Sequence, residues 1–292
     1  MDINSQLEYF AFRTLLGGMR LLPYPTARQL LAGVGRFTGK VLRIRRSVVR
    51  QQLGLIYPKE ESVALESLTD SVYTHLGLTV AEVFCGSSAD LADAVKVTPG
   101  WHYVDQALAL GRGAIVATGH IGNFELGGAC LARRYRLLDV VKTQRNAPFD
   151  QYIQGMRHSL GIETVPMQRS GIRVLKHLRS GGLVSLLLDQ DAGDQGLTTS
   201  FLGRDASTWP GVARFSIRTG CPVIPMALVR LDGGSHELKI SPHLMPGGFA
   251  DQPEDVRCYL EKISAGVEVF IRENPEQWFW VHRRWKSRKG ED

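Results

Sequence analysis

His120 and Glu125 are the residues of this sequence whose types and spacing best fit acid–base chemistry. The preceding run, residues 114–118, is apolar and rich in β-branched residues, which predicts a buried strand, and a helical pattern opens after Gly122. The pair therefore lies where a strand ends and a helix begins, the edge at which ligands bind in open α/β sheets. An imidazole there can act as a general base, and a carboxylate one helical turn away can orient it.

The spacing of this pair is not specific by itself. His158 and Glu163 repeat it, and one such pair is expected by chance with eight His and 29 acidic residues. A structural histidine is therefore the alternative for His120. Its place directly after a predicted strand, which His158 lacks, favours a catalytic role.

Polar side chains also follow other predicted strands or lie in the helices between them. Arg145 follows a strand at 137–143, and Asp189 and Asp191 follow an apolar strand at 183–188. Parallel strands would bring these ends to the edge that holds His120. The two carboxylates fit a metal or an ion pair, and without a partner at a metal-ligand spacing we predict pairing with arginines. The position of Arg157 in a helix fits a solvated or a functional side chain.

Residues 201–211 contain several hydroxyl and glycine residues and precede a predicted helix, with Thr208 as its N-cap. Backbone N–H groups at such a helix start can hold a phosphate or carboxylate, but an ordinary capped turn fits equally well. The sequence contains no P-loop, dinucleotide fingerprint or nucleophile elbow, so it gives no support to nucleotide binding or a serine nucleophile.

The order of predicted elements indicates the fold class. Strands alternate with helices from residue 100 onward, which predicts an α/β fold with a mixed, partly parallel central sheet flanked by helices. We assign residues 51–292 to this α/β unit and residues 1–50 to N-terminal helices of the same domain. The four cysteines show no metal-ligand spacing, which fits a reducing compartment.

The net charge of +6 is concentrated in two places. Residues 28–50 carry seven bases and no acid, and residues 283–289 carry five more bases. An apolar stripe along 28–50 predicts one basic amphipathic helix, and residues 5–22 predict an apolar helix ended by prolines. We expect both helices to contact an anionic membrane surface, although a core-packed helix with a basic outer face has the same pattern. No uncharged apolar run is long enough to span a bilayer.

An ordered set of motifs resembles the bacterial lipid A biosynthesis late acyltransferases, within the glycerolipid acyltransferase superfamily. Its first member is the His-x4-Glu block that ends at Glu125. The others follow in family order: Arg145-Asn146-Ala147-Pro148, Arg157, Asp189-Gln190-Asp191, Phe201-x-Gly203 with Thr208, and Pro275-Glu276-Gln277-Trp278-Phe279-Trp280-Val281-His282-Arg283-Arg284-Trp285. The resemblance extends from the N-terminal helices to about residue 286.

The resemblance implies transfer of a fatty acyl chain from a carrier-protein thioester to a hydroxyl of a lipid A precursor, without a metal or other cofactor. The donor is then acyl carrier protein, or coenzyme A, and the site is the cytoplasmic face of the inner membrane. His120 would be the base, Glu125 its partner and Arg157 a stabiliser of charge. The implied substrate contacts are Asn123, Arg145, Asp189, Asp191, Gly203 and Thr208.

Three other functions stay open. One is acylation of another glycolipid or a lysophospholipid. Another is a thioesterase-like hydrolase, in which water replaces the alcohol. The third is a basic membrane- or nucleic-acid-binding module, in which Trp278, Trp280 and Trp285 would stack on bases. We favour an interface or core role for these tryptophans and expect no nucleic-acid partner.

Overall fold

The computed structural model describes residues 3–86, 95–97 and 100–286. Its helices are α1 (Ile3–Arg20), α2 (Tyr24–Lys40), α3 (Arg46–Ile56), α4 (Ser62–Phe84), α5 (Trp101–Ala109), α6 (Phe124–Ala132), α7 (Ala147–Ser159), α8 (Ser170–Arg179), α9 (Gly211–Thr219) and α10 (Pro253–Glu273). Its strands are β1 (Lys96–Val97), β2 (Ala114–Thr118), β3 (Leu137–Val141), β4 (Glu163–Pro166), β5 (Leu183–Leu187), β6 (Leu197–Phe201), β7 (Arg204–Thr208), β8 (Val223–Arg230) and β9 (His236–Ile240).

The central sheet has the strand order β1-β9-β8-β2-β5-β3-β4 within the described ranges. Its neighbouring strands run parallel except β8 and β9, which are antiparallel. This confirms the predicted α/β fold with a mixed, partly parallel sheet. Because β2, β5, β3, β4 and β8 share one direction, their carboxyl ends lie along one edge.

Strand β2 lies at the centre of this sheet, between β5 and β8. All five of its residues are buried, and Ile115 pairs with Val184 on one side and Val223 on the other. Alternate residues of β2 belong to two apolar clusters, one on each face of the sheet. Ile115 packs in the cluster that includes residues of α10, and Val116 in the cluster that includes residues of α5 and α6. Burial on both faces explains why the strand reads as a continuous apolar run.

The prediction of one helix over residues 28–50 is wrong. Helix α2 ends at Lys40 and α3 begins at Arg46, and Arg43 and Arg45 between them have left-handed φ angles of 52° and 55°. Arg46 forms ion pairs with Asp70 (2.7 Å) and Glu66 (2.6 Å) of α4, which holds the chain in its new direction. The break lets α3 bury its apolar residues in the core while the end of α2 keeps apolar residues exposed.

The N-terminal helices pack on the remainder of the domain. Helix α2 lies so close to α4 that a Cβ atom at Gly35 would lie 2.2 Å from the Tyr73 carbonyl oxygen, and one at Gly77 2.1 Å from that of Leu31. Glycine at both positions therefore permits the contact. Among the described residues, no helix is both long and apolar enough to cross a membrane.

Residues 197–208 form a β-hairpin, which takes up much of the segment 201–211 that the sequence predicts to be a loop before a helix. Strands β6 and β7 pair antiparallel, and the turn between them has positive φ at Leu202 (52°) and Gly203 (83°), as in a type I′ turn. Thr208 is the last residue of β7 and not a helix cap, because the residue before α9 is Pro210. The Thr208 hydroxyl instead lies 2.8 Å from the Thr199 hydroxyl across the hairpin.

Candidate active site

His120 and Asp189 meet at the carboxyl edge of the sheet, just beyond β2 and β5. These strands are parallel neighbours with Thr118 opposite Leu187, so the residues that follow them lie side by side. The His120 ring nitrogen Nδ1 is 2.8 Å from Asp189 Oδ1, and the His120 amide donates to Oδ2 at 2.6 Å. Two neighbouring strand ends therefore build an imidazole–carboxylate pair.

The Asp189 carboxylate is buried, and its charge is balanced by donors. Besides the two contacts from His120, the indole Nε1 of Trp278 donates to Oδ2 at 2.7 Å. Burial alone would raise the pKa of Asp189, but the charge and hydrogen bonds of His120, with the Trp278 bond, outweigh it and lower the pKa. Asp189 is therefore held as an anion.

This arrangement decides which ring nitrogen can accept a proton. A carboxylate accepts the Nδ1 hydrogen, which leaves the lone pair of the neutral ring on Nε2. The side-chain Nε2 of Gln190 lies 3.2 Å from that atom. The His120 side chain is 22% exposed and lies between Phe124 and Phe279, with ring centroids 5.0 and 6.0 Å away. The ring can thus act as a general base toward a substrate at this edge.

Glu125 does not contact the ring in the way its spacing predicts. Both of its oxygens accept from Arg157 of α7, one of them from Nε at 2.9 Å, and both side chains are largely buried. The carboxylate that contacts the ring belongs to Asp189 instead. The structure thus brings together His120 with Asp189, and Glu125 with Arg157, as two separate pairs.

Asn123 has a buried position at the start of α6. Its Oδ1 accepts from the Leu126 amide at 3.0 Å and so caps the helix, and its Nδ2 donates to Glu82 Oε2 at 3.1 Å. Gly122 precedes it with a φ of +59°, and a Cβ atom there would lie 1.9 Å from the Leu228 carbonyl oxygen. The two residues shape the turn after His120, and the buried amide of Asn123 is not presented to a substrate.

The remaining predicted site residues lie in different surroundings. Arg145 is exposed beyond the end of β3. Asp191 pairs with Lys286 at 2.6 Å, so the predicted arginine partners of Asp189 and Asp191 are replaced by a histidine and a lysine. Gly203 lies in the hairpin turn and Thr208 is buried. No hydrogen bond found in the described ranges joins Gly203 or Thr208 to the His120 ring.

Several residues of the site were not predicted from the sequence. Trp278 and Gln190 contact the His120–Asp189 pair directly, and Arg284 is fully buried and donates to the Gln190 carbonyl oxygen at 3.0 Å. Burial lowers the pKa of Arg284 to about 10. All three lie in family motifs quoted above, but their types alone do not indicate these contacts. Among the described residues, no group of three or more His, Cys, Asp or Glu side chains is placed to hold a metal ion.

Comparison with known proteins places the chain in a family. Residues 4–287 match the family described as bacterial lipid A biosynthesis acyltransferase. The chain belongs to this family. It is 25% identical over 275 residues to the lipid A biosynthesis palmitoleoyltransferase of Escherichia coli (strain K12), which covers 91% of this chain and 87% of that protein. The protein is therefore an O-acyltransferase of the lipid A biosynthesis type.

Two further relatives show how widely this similarity extends. The lipid A biosynthesis lauroyltransferase of Escherichia coli (strain K12) is 23% identical over 274 residues, covering 91% of this chain and 87% of that protein. The phosphatidylinositol mannoside acyltransferase of Mycobacterium tuberculosis (strain CDC 1551 / Oshkosh) is 31% identical over 136 residues, covering 44% of this chain and 43% of that protein. The first match spans most of the acyltransferase and the second a shorter stretch.

A buried ionic network contacts the start of α6, next to the His120–Asp189 pair. Glu82 of α4 is 1% exposed and binds Arg230 at the end of β8 through two hydrogen bonds of 2.6 and 2.7 Å. His236 Nε2 lies 3.0 Å from the same carboxylate, and the Asn123 amide also donates to it. Burial would raise the pKa of Glu82, but the hydrogen bonds from Arg230 and the close approach of the His236 ring lower the pKa to about 2. The network links α4 and β8 to the helix start that follows His120.

Asp139, in the middle of β3, carries a third carboxyl group of this kind: its Oδ1 atom is buried without a hydrogen-bond partner among the described residues, and it lies near the charges of Arg157 and Glu125. Burial raises its pKa to about 7, although the Arg157 charge opposes this. The folded state therefore keeps a proton that the unfolded chain releases near pH 3.8. Its contribution to stability is full below that pH and is lost as the pH rises toward 7.

We therefore expect Asp139→Asn to gain stability relative to the parent between pH 5 and pH 8. Asparagine stays neutral, whereas the parent must lose the buried proton over this range. The relative gain is about 1.4 kcal/mol per pH unit while the folded and unfolded parent differ by one proton. Urea unfolding of both proteins at pH 5, 6.5 and 8 measures it. A constant difference between them would contradict the raised pKa.

Proposed function

We propose that this acyltransferase moves a fatty acyl chain from an acyl-carrier-protein thioester to a hydroxyl group of a lipid A precursor. The observation that carries the proposal is the His120–Asp189 pair, which leaves the lone pair of a partly exposed imidazole on Nε2, at the carboxyl edge of the sheet in a member of this family. The family resemblance supports the carrier-protein donor and the lipid A acceptor, and the geometry of the site supports the proposed roles of the residues.

In the proposed reaction His120 Nε2 takes the proton of the acceptor hydroxyl as its oxygen attacks the thioester carbonyl carbon. The new C–O bond gives a tetrahedral oxyanion, and Asp189 stabilises the imidazolium that forms. Collapse of the intermediate breaks the C–S bond, and the imidazolium proton passes to the departing thiolate. The products are an ester and a free thiol, so no covalent enzyme intermediate is needed.

The donors for the oxyanion lie at the start of α6 in this proposal. The amides of residues 120–123 are already bonded to Asp189, Gly119, Gln277 and Leu228. Helix geometry leaves the next two amides, those of Phe124 and Glu125, without an intrahelical acceptor, and they carry the positive end of the helix dipole. Arg157, which is engaged by Glu125, would act mainly by holding this helix start in place.

A mass-spectrometric assay tests the proposal with acyl-carrier-protein and acyl-coenzyme A donors. The acceptors are a lipid A precursor, a phosphatidylinositol mannoside, a lysophospholipid and water alone. We expect an acylated lipid A precursor from the carrier-protein donor, in the presence of a chelator as well as without it. His158→Ala, an exposed histidine with the same spacing to an acid, is the matched control for His120→Ala. Free fatty acid as the main product would indicate a hydrolase instead.

A second acceptor class is supported by the phosphatidylinositol mannoside acyltransferases among the relatives. The mannoside acyltransferase of Mycobacterium tuberculosis has the higher identity, 31%, although over 136 residues. A mannosylated lipid is therefore the alternative acceptor, and the same set of acceptors in the assay distinguishes it from the lipid A precursor. Exclusive acylation of the mannoside would replace the first proposal and keep the chemistry.

We also propose that the N-terminal helices attach the enzyme to the cytoplasmic face of the inner membrane. Large apolar side chains are 47–87% exposed on α1, on α2 and in the turns that follow these two helices: Leu7, Phe10, Leu15, Leu21, Leu30, Val34, Phe37, Val41, Leu42 and Ile44. Exposed apolar groups in such number are typical of surfaces that contact membranes or proteins. Exposed Arg36 and Arg43 lie among them, which favours an anionic lipid surface.

Arg36→Gln with Arg43→Gln is expected to weaken binding to anionic vesicles by up to about 2 kcal/mol at low salt, since each base near the surface contributes about 1 kcal/mol. Arg46 is left unchanged because it is ion-paired with α4. Binding to neutral vesicles should change little. Co-sedimentation with vesicles of graded anionic content measures the effect, and Lys176→Gln with Arg179→Gln on α8 is the control. Equal losses of binding to anionic vesicles in both double variants would show that Arg36 and Arg43 are not the membrane contact.

A further inference from the structure

The segment of residues 275–286 runs across both loops that carry the candidate catalytic pair. Its backbone binds the His120 loop on two sides, since the Gly122 amide donates to the Gln277 oxygen at 2.9 Å and the Phe279 amide to the His120 oxygen at 3.0 Å. It also binds the Asp189 loop, where the Asp191 amide donates to His282 Nε2 at 3.1 Å. The segment thus joins two loops that are 69 residues apart in sequence.

Trp278 is the residue of this segment that reaches the pair itself. Its indole is 2% exposed, and Nε1 donates to Asp189 Oδ2 at 2.7 Å. The His120 amide donates to the same oxygen, which leaves Oδ1 for the His120 ring. We propose that Trp278 is a positioning residue for acyl transfer, which fixes the rotation and the charge of the Asp189 carboxylate so that Oδ1 holds the His120 ring.

The physical reason lies in how a buried carboxylate is held. Two donors on Oδ2 fix the plane of the carboxylate, and both disperse negative charge that is buried away from solvent. If the indole N–H is lost, the carboxylate rotates more freely and bears more charge on Oδ1. Its attraction for the imidazolium then rises, so the ring keeps its proton to higher pH, and fewer molecules hold the ring in its productive orientation.

Trp278→Phe tests this inference and keeps an aromatic ring in the cluster. We expect kcat to fall about 10- to 100-fold, as for a lost hydrogen bond to a charged group, with little change in KM for either substrate. The acid limb of the kcat/KM profile should move to higher pH by about one unit. The free energy of one hydrogen bond to a charged group corresponds to a pKa change of about that size. A change of packing alone would lower stability without moving the profile.

Two neighbouring tryptophans supply matched controls. Trp280→Phe removes an indole bond of 2.6 Å to the Pro275 oxygen, and Trp285→Phe removes an indole N–H that has no partner among the described residues. Both rings contact Trp278, with centroids 4.6 and 5.9 Å away. The other charged groups that face the pair are present in all three variants: Asp191, His282, Arg284 and Lys286. The pH profiles of the two controls should match that of the parent.

The inference rests on the proposed role of His120, and the two fail differently. If His120→Ala keeps near-normal activity, the proposed reaction is wrong. If His120→Ala is inactive while Trp278→Phe matches Trp285→Phe in kcat and pH profile, the positioning role alone is wrong. An NMR measurement does not depend on how Trp278→Phe folds: Asp189→Asn should shift the indole N–H resonance of Trp278 more than those of Trp280 and Trp285. Unequal shifts in that order support the role, and equal shifts overturn it.

Discussion

Asp189→Asn is expected to lower kcat by about 10⁴-fold while the protein stays folded, an effect of the size that loss of the correct histidine tautomer produces in an acid–base triad. Asparagine can turn its amide NH₂ toward the His120 ring. The ring nitrogen Nδ1 then accepts a hydrogen bond, and the ring proton moves to Nε2, where the base is needed. The assay is acyl transfer to the lipid acceptor under saturating donor, with circular dichroism as the check on folding.

Glu125→Gln is the control for this prediction because its carboxylate binds Arg157 and not the ring. We expect a smaller loss from Glu125→Gln than from either Asp189→Asn or His120→Ala, the last of which should cost at least about 10²-fold as a missing general base. A mild effect of Asp189→Asn beside a severe effect of Glu125→Gln would return the partner role to Glu125.

The position of His120 could be predicted from sequence, whereas the partner of its ring could not. An apolar strand followed by a helix start is a local pattern, and β2 and α6 lie within a few residues of their predicted positions. The partner depends on which strands are neighbours, and Asp189, which follows β5, is 69 residues further along the chain than His120. Glu125 has the right spacing, but in the first turn of α6 its side chain meets Arg157 of α7.

The two errors in the predicted fold also have physical causes. The apolar period of residues 28–50 continues in phase through the break at Arg43 and Arg45, so a periodicity argument detects no interruption. Ion pairs between Arg46 and α4 hold the break, and the sequence gives no sign of which acids these are. The hairpin of β6 and β7 is rich in hydroxyl and charged residues, so its composition resembles that of a loop.

The buried pair of Glu82 and Arg230 was not predicted either, because a Glu in a helix and an Arg at a strand end look like ordinary surface residues. In the structure both are at most 5% exposed, and Glu82 also receives a hydrogen bond from Asn123, the cap of the helix after His120. The helix start next to the His120 ring is therefore joined to a charge pair in the interior. Loss of the Glu82–Arg230 pair should therefore lower the stability of the whole domain.

Arg230→Met is expected to lower the free energy of unfolding by about 3–5 kcal/mol at pH 7, because it leaves the Glu82 carboxylate buried without its main partner. Removing both charges, by Glu82→Met with Arg230→Met, should recover part of that loss. Urea unfolding at pH 7 measures it. Lys239→Met is the control, since the pair of Lys239 with Glu273 is 2.8 Å long but solvent-accessible, and its loss should cost at most about 1 kcal/mol.

The same pair makes a prediction for acid pH. Because the pKa of Glu82 is lowered to about 2, its contribution to stability is present above pH 4.5, its ordinary value, and is lost as the pH falls toward 2. In Arg230→Met the carboxyl group takes up a proton more readily in the folded state, so the variant should lose less stability than the parent over that interval. The difference in free energy of unfolding between the parent and Arg230→Met should therefore become smaller as the pH falls. If Arg230→Met costs no more than Lys239→Met at pH 7, or this difference stays constant with pH, Glu82 does not depend on Arg230 for its charge.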